Sequence, residues 1–143
     1  MTTEDTPLYV LDSFALLAFF QDEPAAGKVE DLLEKASTGI VRLALSVVNL
    51  GEVVYKTIRS YDEERAADVL NMMGGYKIDL FDVDRQLALE AALIKGRHKM
   101  SYADCVAAAL AQRMNATLVT GDLEFKLIEG WIEIEWLPRR ERS

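Results

Sequence analysis

The sequence predicts a single-domain α/β fold in which helices cover both faces of a mainly parallel sheet. Two observations support this prediction: short apolar runs typical of buried strands recur along the chain, and longer helical stretches separate them. Strands that alternate with helices indicate βαβ units, which form parallel sheets. The 143 residues suffice for one hydrophobic core. We therefore expect one domain over 1–143, with a disordered tail at about 138–143.

The first half of the chain predicts two strands and four helices. The run "LYVLD" is typical of a strand buried on both faces, and Pro24 fits the first turn of a later helix. Ser46 and Asp62 are suitable N-caps, and Gly74 and Gly75 would end the fourth helix. The predicted elements are a strand ending at 11, helices at 13–20 and 23–36, a strand at 39–45, and helices at 47–61 and 63–73.

The second half continues the alternation. Asp84 and Ser101 are the expected N-caps of two further helices. The stretch "WIEIEW" alternates apolar and acidic residues, as a half-exposed edge strand does. The predicted elements are a strand at 76–83, helices at 85–96 and 102–115, a strand at 116–122, and the edge strand at 131–136.

Composition and charge exclude several classes of protein. Half of the residues are hydrophobic and no apolar run approaches the roughly 20 residues of a membrane span, while the first residues are acidic, unlike a signal peptide. We therefore expect a cytoplasmic location without membrane association. The single cysteine, Cys105, excludes an internal disulfide, and no Cys or His cluster predicts zinc. A net charge of −8 argues against a broadly basic nucleic-acid-binding surface.

Four acidic residues stand at positions where an α/β fold places ligands. Asp12 and Asp122 directly follow predicted strands, whose carboxyl ends border the usual binding crevice. Glu52 and Asp104 lie in or near the first turns of predicted helices, which begin close to that crevice when they run away from it. The sequence thus allows all four carboxylates to share one site.

Each of these acids also has a purely structural explanation. Asp104 completes a capping box with Ser101, and Glu52 is spaced for an i,i+4 ion pair with Lys56. Asp12 and Asp122 could be turn residues or N-caps. For any one acid the structural explanation is the simpler one. To account for all four acids, however, four separate structural explanations are needed, whereas one shared site explains them together.

Taken together, these positions resemble the PIN-domain family, and within it the VapC toxins of toxin–antitoxin pairs. The resemblance extends from "YVLDSFALLAFF" through "VVNLGEVVY" and "SYADCVAAALA" to "LVTGDLEF". It implies a PIN-like fold and an acidic quartet at Asp12, Glu52, Asp104 and Asp122.

Clustered carboxylates repel one another unless a cation or protons compensate for their charge. Oxygen ligands without Cys or His favour Mg²⁺ or Mn²⁺, which can activate water and polarise a phosphoryl oxygen. The resemblance therefore implies metal-dependent hydrolysis of RNA. Asp12, Glu52 and Asp104 would hold a first ion, and Asp122 would hold a second ion or orient water. Ser13, Asn49 and Thr120 would support these ligands.

The resemblance also implies partners. An antitoxin would block the acidic groove, and the chain would form a homodimer, for which the apolar residues Val69, Leu70, Met72 and Met73 offer a surface or else belong to the core. The basic residues of "KGRHK", Lys95, Arg97 and Lys99, could bind RNA phosphates or simply end a helix. Two other functions remain open: an RNA-processing PIN nuclease without an antitoxin, and a PIN-like binding module without activity.

Overall fold

A computed structural model of the chain describes residues 5–139, in which strands alternate with helices as predicted. A short 3-10 helix lies between the last two strands. The elements are β1 Leu8–Leu11, α1 Ser13–Phe20, α2 Ala26–Ser37, β2 Arg42–Ser46, α3 Val47–Ser60, α4 Glu63–Met73, β3 Asp79–Phe81, α5 Arg85–Arg97, α6 Tyr102–Met114, β4 Thr117–Thr120, the 3-10 helix Leu123–Ile128 and β5 Ile134–Trp136.

The five strands form one sheet in the order β3-β2-β1-β4-β5, and every neighbouring pair is parallel. The predicted α/β class with a parallel sheet is therefore confirmed. Because all strands run in the same direction, their carboxyl ends lie at one edge of the sheet. The central strand β1 and its neighbour β4 both end there, with Leu11 paired to Val119.

Consecutive residues of the central strands pack on opposite faces of the sheet. Val10 and Leu118 belong to the core beneath α5 and α6, whereas Leu11 and Val119 belong to the core beneath α1 and α2. Helices therefore cover both faces, as expected for strands that are buried on both sides.

Helix α6 is the most deeply buried helix of the part described. All residues from 104 to 111 are buried, and four of them are alanines, whose small side chains let α6 approach the sheet and α3 closely. Cys105 lies in this core, fully buried, and burial raises the pKa of its thiol to about 11.

The predicted N-caps are confirmed at four helices. The side chains of Ser46, Asp62, Asp84 and Ser101 each accept a hydrogen bond from the backbone N–H three residues later. These bonds satisfy amide groups that the first turn of a helix leaves without a partner. The starts of α3, α4, α5 and α6 are thus set by local sequence.

Several predicted boundaries are wrong. Pro24 precedes α2 instead of lying in its first turn, and the 3-10 helix after Asp122 was not predicted. The strands are shorter than predicted because only part of each predicted range pairs, and β2 also extends one residue beyond its predicted end: the observed ranges replace 39–45, 76–83, 116–122 and 131–136.

The apolar residues of α4 do not form a single surface. Val69 is only 2% exposed and packs in the core, and Met73 packs against the same core, so of the two explanations left open core packing applies to these two residues. Leu70 and Met72 remain 43% and 50% exposed. Within residues 5–139, no helix has the length and apolar character needed to cross a membrane. Of the predicted tail, residues 140–143 lie outside the described residues.

Candidate active site

Side chains from four elements meet at the carboxyl edge of the sheet. Asp12 follows β1, Asp122 follows β4, Glu52 lies on α3 and Asp104 lies in the first turn of α6. The order of the sheet explains this arrangement, because β1 and β4 are neighbours and α3 begins directly after β2, the other neighbour of β1. Residues more than 100 positions apart in sequence thereby become neighbours in space.

Asp12 lies deepest in the cluster and is 1% exposed. Its Oδ1 accepts a hydrogen bond of 2.9 Å from the Ala15 N–H, and its Oδ2 accepts one from the Thr120 hydroxyl. Burial, together with the negative charges of Asp122 and Glu52, raises the pKa of Asp12 to about 7, although the two hydrogen bonds lower it. The side chain is fixed in orientation, but within residues 5–139 it has no ion pair with a basic residue.

Asp104, Asp122 and Glu124 form the part of the cluster that lines the groove; Asp104 is buried and the other two are half-buried. One carboxylate oxygen from each lies within 4.8 Å of those from the other two. Burial and, after it, the negative charges of Asp122 and Asp12 raise the pKa of Asp104 to about 8. Three acids this close together are a suitable set of oxygen donors for a hard divalent cation.

Glu124 was not predicted from the sequence. Its Oε1 accepts a hydrogen bond of 3.4 Å from the Ser101 N–H, whereas the Asp104 N–H donates to Ser101 Oγ at 3.1 Å. In the capping-box interpretation the Asp104 side chain would accept a hydrogen bond from the Ser101 N–H. In the structure the Glu124 side chain accepts that bond instead. The available signal was its position two residues after Asp122, which becomes informative only once a 3-10 turn is known to follow β4.

Glu52 is both a member of the cluster and one half of the predicted ion pair. Its Oε2 accepts a hydrogen bond of 3.1 Å from the Tyr55 hydroxyl and lies 3.6 Å from Lys56 Nζ. The Glu52 side chain is 10% exposed, while that of Lys56 is 49% exposed. The pair is therefore not an ordinary surface ion pair, because its acid points inward.

Ser13, Asn49 and Thr120 hold the elements of the site together. Asn49 Nδ2 donates to Ser13 Oγ at 3.3 Å and to the Ala103 carbonyl at 3.2 Å, so it links α3 to α1 and α6. Thr120 Oγ1 donates to Asp12 and accepts a 2.9 Å hydrogen bond from the Asp122 N–H. Only Thr120 of the three contacts one of the four acids directly.

A groove of about 490 Å³ opens over the acids. Glu52, Asp104, Asp122 and Glu124 line it, and Asp12 lies behind them, outside the lining. Apolar side chains, including Phe14, Leu17 and Pro24, form the rest of the wall together with polar residues and the basic residues Lys56 and Arg139. The groove thus combines a carboxylate cluster with an apolar wall.

The basic residues that the sequence suggested for RNA binding lie elsewhere. Lys95, Arg97 and Lys99 are exposed but are not among the residues lining the groove, and the Lys95 ammonium donates to the Met100 carbonyl at 2.8 Å. His98 packs edge-on against Trp131 and does not line the groove either. Contact of the three basic residues with RNA remains a prediction.

Comparisons with known proteins agree with this architecture. The chain is similar in structure to VapBC2 from Rickettsia felis bound to a promoter DNA fragment, at a TM-score of 0.70 and 20% identity over 92% of this chain and 99% of that one. It is similar to DNA-bound VapBC from Salmonella typhimurium at a TM-score of 0.69 and 22% identity, over 91% and 98% of the two chains. It is also similar to VapC20 of Mycobacterium tuberculosis, described as a sarcin–ricin loop cleaving toxin, at a TM-score of 0.68 and 17% identity, over 88% and 97%.

No curated protein sequence matches the chain significantly. The family model for the PIN domain matches residues 9–130, which include all four acids predicted for the site as well as Glu124. Since this match covers most of the sequence and the fold agrees with it, the chain belongs to the PIN-domain family.

Proposed function

We propose that the protein is a Mg²⁺- or Mn²⁺-dependent endoribonuclease and that it is the toxin of a toxin–antitoxin pair. The observation that carries the proposal is the convergence of acids from α3, α6 and the segment after β4 on one groove, with Asp12, the residue after β1, behind them. Nothing in the stability of the fold requires this convergence, since buried or crowded carboxylates oppose folding. The PIN-domain family is a family of nucleases, and binding of a catalytic metal ion would explain why the acids converge.

The donor set fits a divalent cation that prefers oxygen ligands. The cluster contains carboxylates only, and the described residues of the groove include neither Cys nor His. Asp12, Glu52, Asp104 and Asp122 would hold the ion or ions, and Glu124 would add a fifth carboxylate. When bound, such an ion supplies a Lewis acid for the phosphoryl oxygen and lowers the pKa of water.

The chain's own residues would orient the reacting groups. The Ala15 N–H and the Thr120 hydroxyl fix both oxygens of Asp12, and Thr120 also holds the backbone of Asp122. These bonds set the direction of two ligands before any substrate arrives, which reduces the reorganisation needed for reaction. The hydrogen bonds of Asn49 fix the positions of α1, α3 and α6 relative to one another. The apolar side of the groove limits the access of bulk water.

Two features support RNA as the substrate and an antitoxin as the partner. One structural neighbour is described as cleaving the sarcin–ricin loop, and two others are VapBC complexes. The exposed Leu70 and Met72 on α4 are candidates for a homodimer interface. A cytoplasmic location, where RNA is available, completes the proposal.

The products of the reaction test the mechanism. Hydrolysis by water with the 3′ oxygen leaving gives a 3′-hydroxyl and a 5′-phosphate, whereas attack by the RNA's own 2′-hydroxyl gives a cyclic phosphate. We expect the downstream fragment of an end-labelled RNA cut in Mn²⁺ to ligate without kinase treatment. EDTA and the Asp104→Asn substitution should both stop cleavage. Asp62→Asn is the matched control, because Asp62 caps the exposed start of α4 far from the groove lining.

Other outcomes would point to different functions. A cyclic phosphate, or full activity in EDTA, would contradict the carboxylate mechanism. Metal binding without cleavage of any RNA would favour the inactive binding module. Cleavage by a protein whose expression is harmless without a neighbouring antitoxin gene would favour an RNA-processing nuclease.

A further inference from the structure

The acidic groove presents an electrostatic problem for an anionic substrate. Within residues 5–139, five carboxylates line it, from Glu23, Glu52, Asp104, Asp122 and Glu124, against two basic side chains, Lys56 and Arg139. A bound divalent ion would offset part of this charge, but the phosphates on either side of the cleaved linkage still need a cationic contact. The basic lining residues are therefore of particular interest.

Lys56 is positioned beside the acid cluster. It lies on α3 one helical turn after Glu52, and its Nζ is 3.6 Å from Glu52 Oε2. This distance is that of an ion pair and exceeds a hydrogen bond, and the same oxygen already accepts a hydrogen bond from the Tyr55 hydroxyl. Within residues 5–139, this ion pair is the ammonium's only polar contact. Its three donors can therefore turn to another oxygen without breaking a hydrogen bond.

The exposure of the two partners gives the contact a direction. The Glu52 side chain is 10% exposed and that of Lys56 is 49% exposed, so the acid points into the cluster and the ammonium stands at the opening of the groove. Since Lys56 and Glu52 share helix α3, the Lys56 side chain begins one helical turn from the acid, and its ammonium stays within the reach of a four-carbon stem. A phosphate held by Lys56 would thus lie close to the carboxylates.

The basic cluster at the end of α5 does not offer the same geometry. Lys95 is already engaged with the Met100 carbonyl, and Lys95, Arg97 and Lys99 are outside the groove lining. They can contact only parts of an RNA that extend beyond the groove.

We propose that Lys56 binds an RNA backbone phosphate next to the cleaved linkage. The inference rests on the proposed nuclease function and adds to it the residue that brings the anionic substrate to the acids. Lys56 is then a substrate-binding residue, and its ion pair with Glu52 holds it in place when RNA is absent.

The experiment compares Lys56→Met with a matched pair on another helix. Lys35 on α2 forms an i,i+4 pair with Asp31 at 2.9 Å, is similarly exposed and does not line the groove, so Lys35→Met removes one equivalent charge. Binding of a short fluorescent single-stranded RNA is followed by anisotropy in EDTA, where hydrolysis stops, at several salt concentrations. Cleavage kinetics are then measured in Mn²⁺, and melting curves confirm that each variant is folded.

We expect Lys56→Met to raise the KM for RNA roughly tenfold, as loss of a charged hydrogen bond does. It should also reduce the slope of log Kd against log salt by about 0.7, the value for one phosphate contact on a single strand. Lys56→Arg should retain the slope, and Lys35→Met should match the wild type in both measurements.

Four results would overturn the inference. An unchanged salt slope in Lys56→Met, with altered Mn²⁺ affinity, would show that Lys56 serves only as the counter-ion of Glu52. Equal effects of Lys56→Met and Lys35→Met would show that only the net charge of the protein, and not the position of Lys56, affects RNA binding. A wild-type protein that cleaves RNA while Lys56→Met keeps its KM would refute the inference alone, whereas a wild type that neither binds nor cleaves RNA would refute the proposed function as well.

Discussion

Asp12 and Asp84 cap helices α1 and α5 with nearly the same local geometry. Each has an extended backbone, and each accepts a hydrogen bond from the N–H three residues later, at 2.9 Å from Ala15 and 2.8 Å from Leu87. Each stands between a strand and the helix that follows it. In sequence and in local conformation the two residues are equivalent N-caps.

Their surroundings give them opposite acid–base properties. Asp12 follows the central strand β1 and is 1% exposed among other acids, and its pKa rises to about 7. The Asp84 side chain follows the edge strand β3 and is 62% exposed, and its hydrogen bond from Leu87 and its contact with Arg113 hold its pKa below the ordinary value. The comparison shows that one capping geometry can belong to a buried acid of raised pKa or to an exposed acid of lowered pKa, and that the position of the preceding strand in the sheet separates the two cases.

The largest expected difference is in activity. Asp12→Asn keeps an oxygen that can cap α1 but loses the charge that would hold a cation, and we expect the rate of RNA cleavage in Mn²⁺ to fall by more than about 100-fold. Asp84→Asn should leave the rate unchanged, because Asp84 does not line the groove. Initial rates on one RNA substrate check both variants, and an equal loss in the two would mean that capping alone explains Asp12.

The rise in Tm on metal binding should differ between variants of Asp12 and variants of Asp84. A cation that binds only the folded protein stabilises it by about 2.7 kcal/mol at 100 times its Kd, a rise in Tm of roughly 5–10 °C for a domain of this size. We expect Mn²⁺ to produce such a shift in the wild type and in Asp84→Asn. The shift should be much smaller in a double Asp12→Asn and Asp104→Asn variant. Identical shifts in all three proteins would exclude a shared metal site at these acids.

The pH dependence of stability without metal should distinguish the caps by its sign. The pKa values of Asp12 and Asp104 in the folded protein, about 7 and about 8, lie above the ordinary 3.8, so the folded state binds more protons than the unfolded state between these values. The stability they contribute is complete below about pH 4 and is lost as the pH rises toward 7 and 8, by up to about 1.4 kcal/mol per pH unit for each carboxyl.

The contribution of Asp84 to stability changes with pH in the opposite direction. Its lowered pKa contributes stability above the ordinary value, which is lost only as the pH falls below that value. Urea unfolding in EDTA between pH 5 and pH 8 should therefore show stability falling with pH in the wild type and in Asp84→Asn, with a shallower fall in Asp12→Asn. A steeper fall in Asp12→Asn would contradict the assignment.

The smallest expected effect concerns packing at the two regions. A Cβ added to Gly121, beside Asp122, would lie 2.4 Å from Cε1 of Phe14, so Gly121→Ala should displace that ring from the groove wall and destabilise the protein by about 1–3 kcal/mol. A Cβ at Gly96 in α5 would meet nothing within 4 Å, and Gly96→Ala should stabilise the protein by about 0.5–1 kcal/mol. Thermal unfolding checks both, and a neutral Gly121→Ala would show that Phe14 can repack freely.

Much of the fold follows from the sequence because its signals are local. Ser46, Asp62, Asp84 and Ser101 each set the start of a helix through a bond to the amide three residues later, and the apolar runs of β1 and β4 indicate strands buried on both faces. The resemblance to PIN domains, carried by the four acids and their flanking residues, is confirmed by the family match. The role of those acids in catalysis remains a prediction.

Three features depended on contacts between distant residues. The neighbouring positions of β1 and β4 place Thr120 against Asp12, 108 residues away. The 3-10 turn after β4 brings Glu124 to the start of α6, where it accepts the Ser101 N–H. The fold also decides which basic residues lie near the acids: Lys56 lines the groove, whereas Lys95, Arg97 and Lys99 do not.

The sequence by itself determined where the helices with side-chain caps begin, which strands are buried and which acids could meet. Each of these depends on interactions within a few residues or on the apolar character of a short segment. Only the tertiary structure decided that Asp12 is a buried acid of raised pKa while Asp84 is an exposed cap of lowered pKa. The physical reason is that burial and the charges of neighbours, which set a pKa, come from residues that the chain brings together only when it folds.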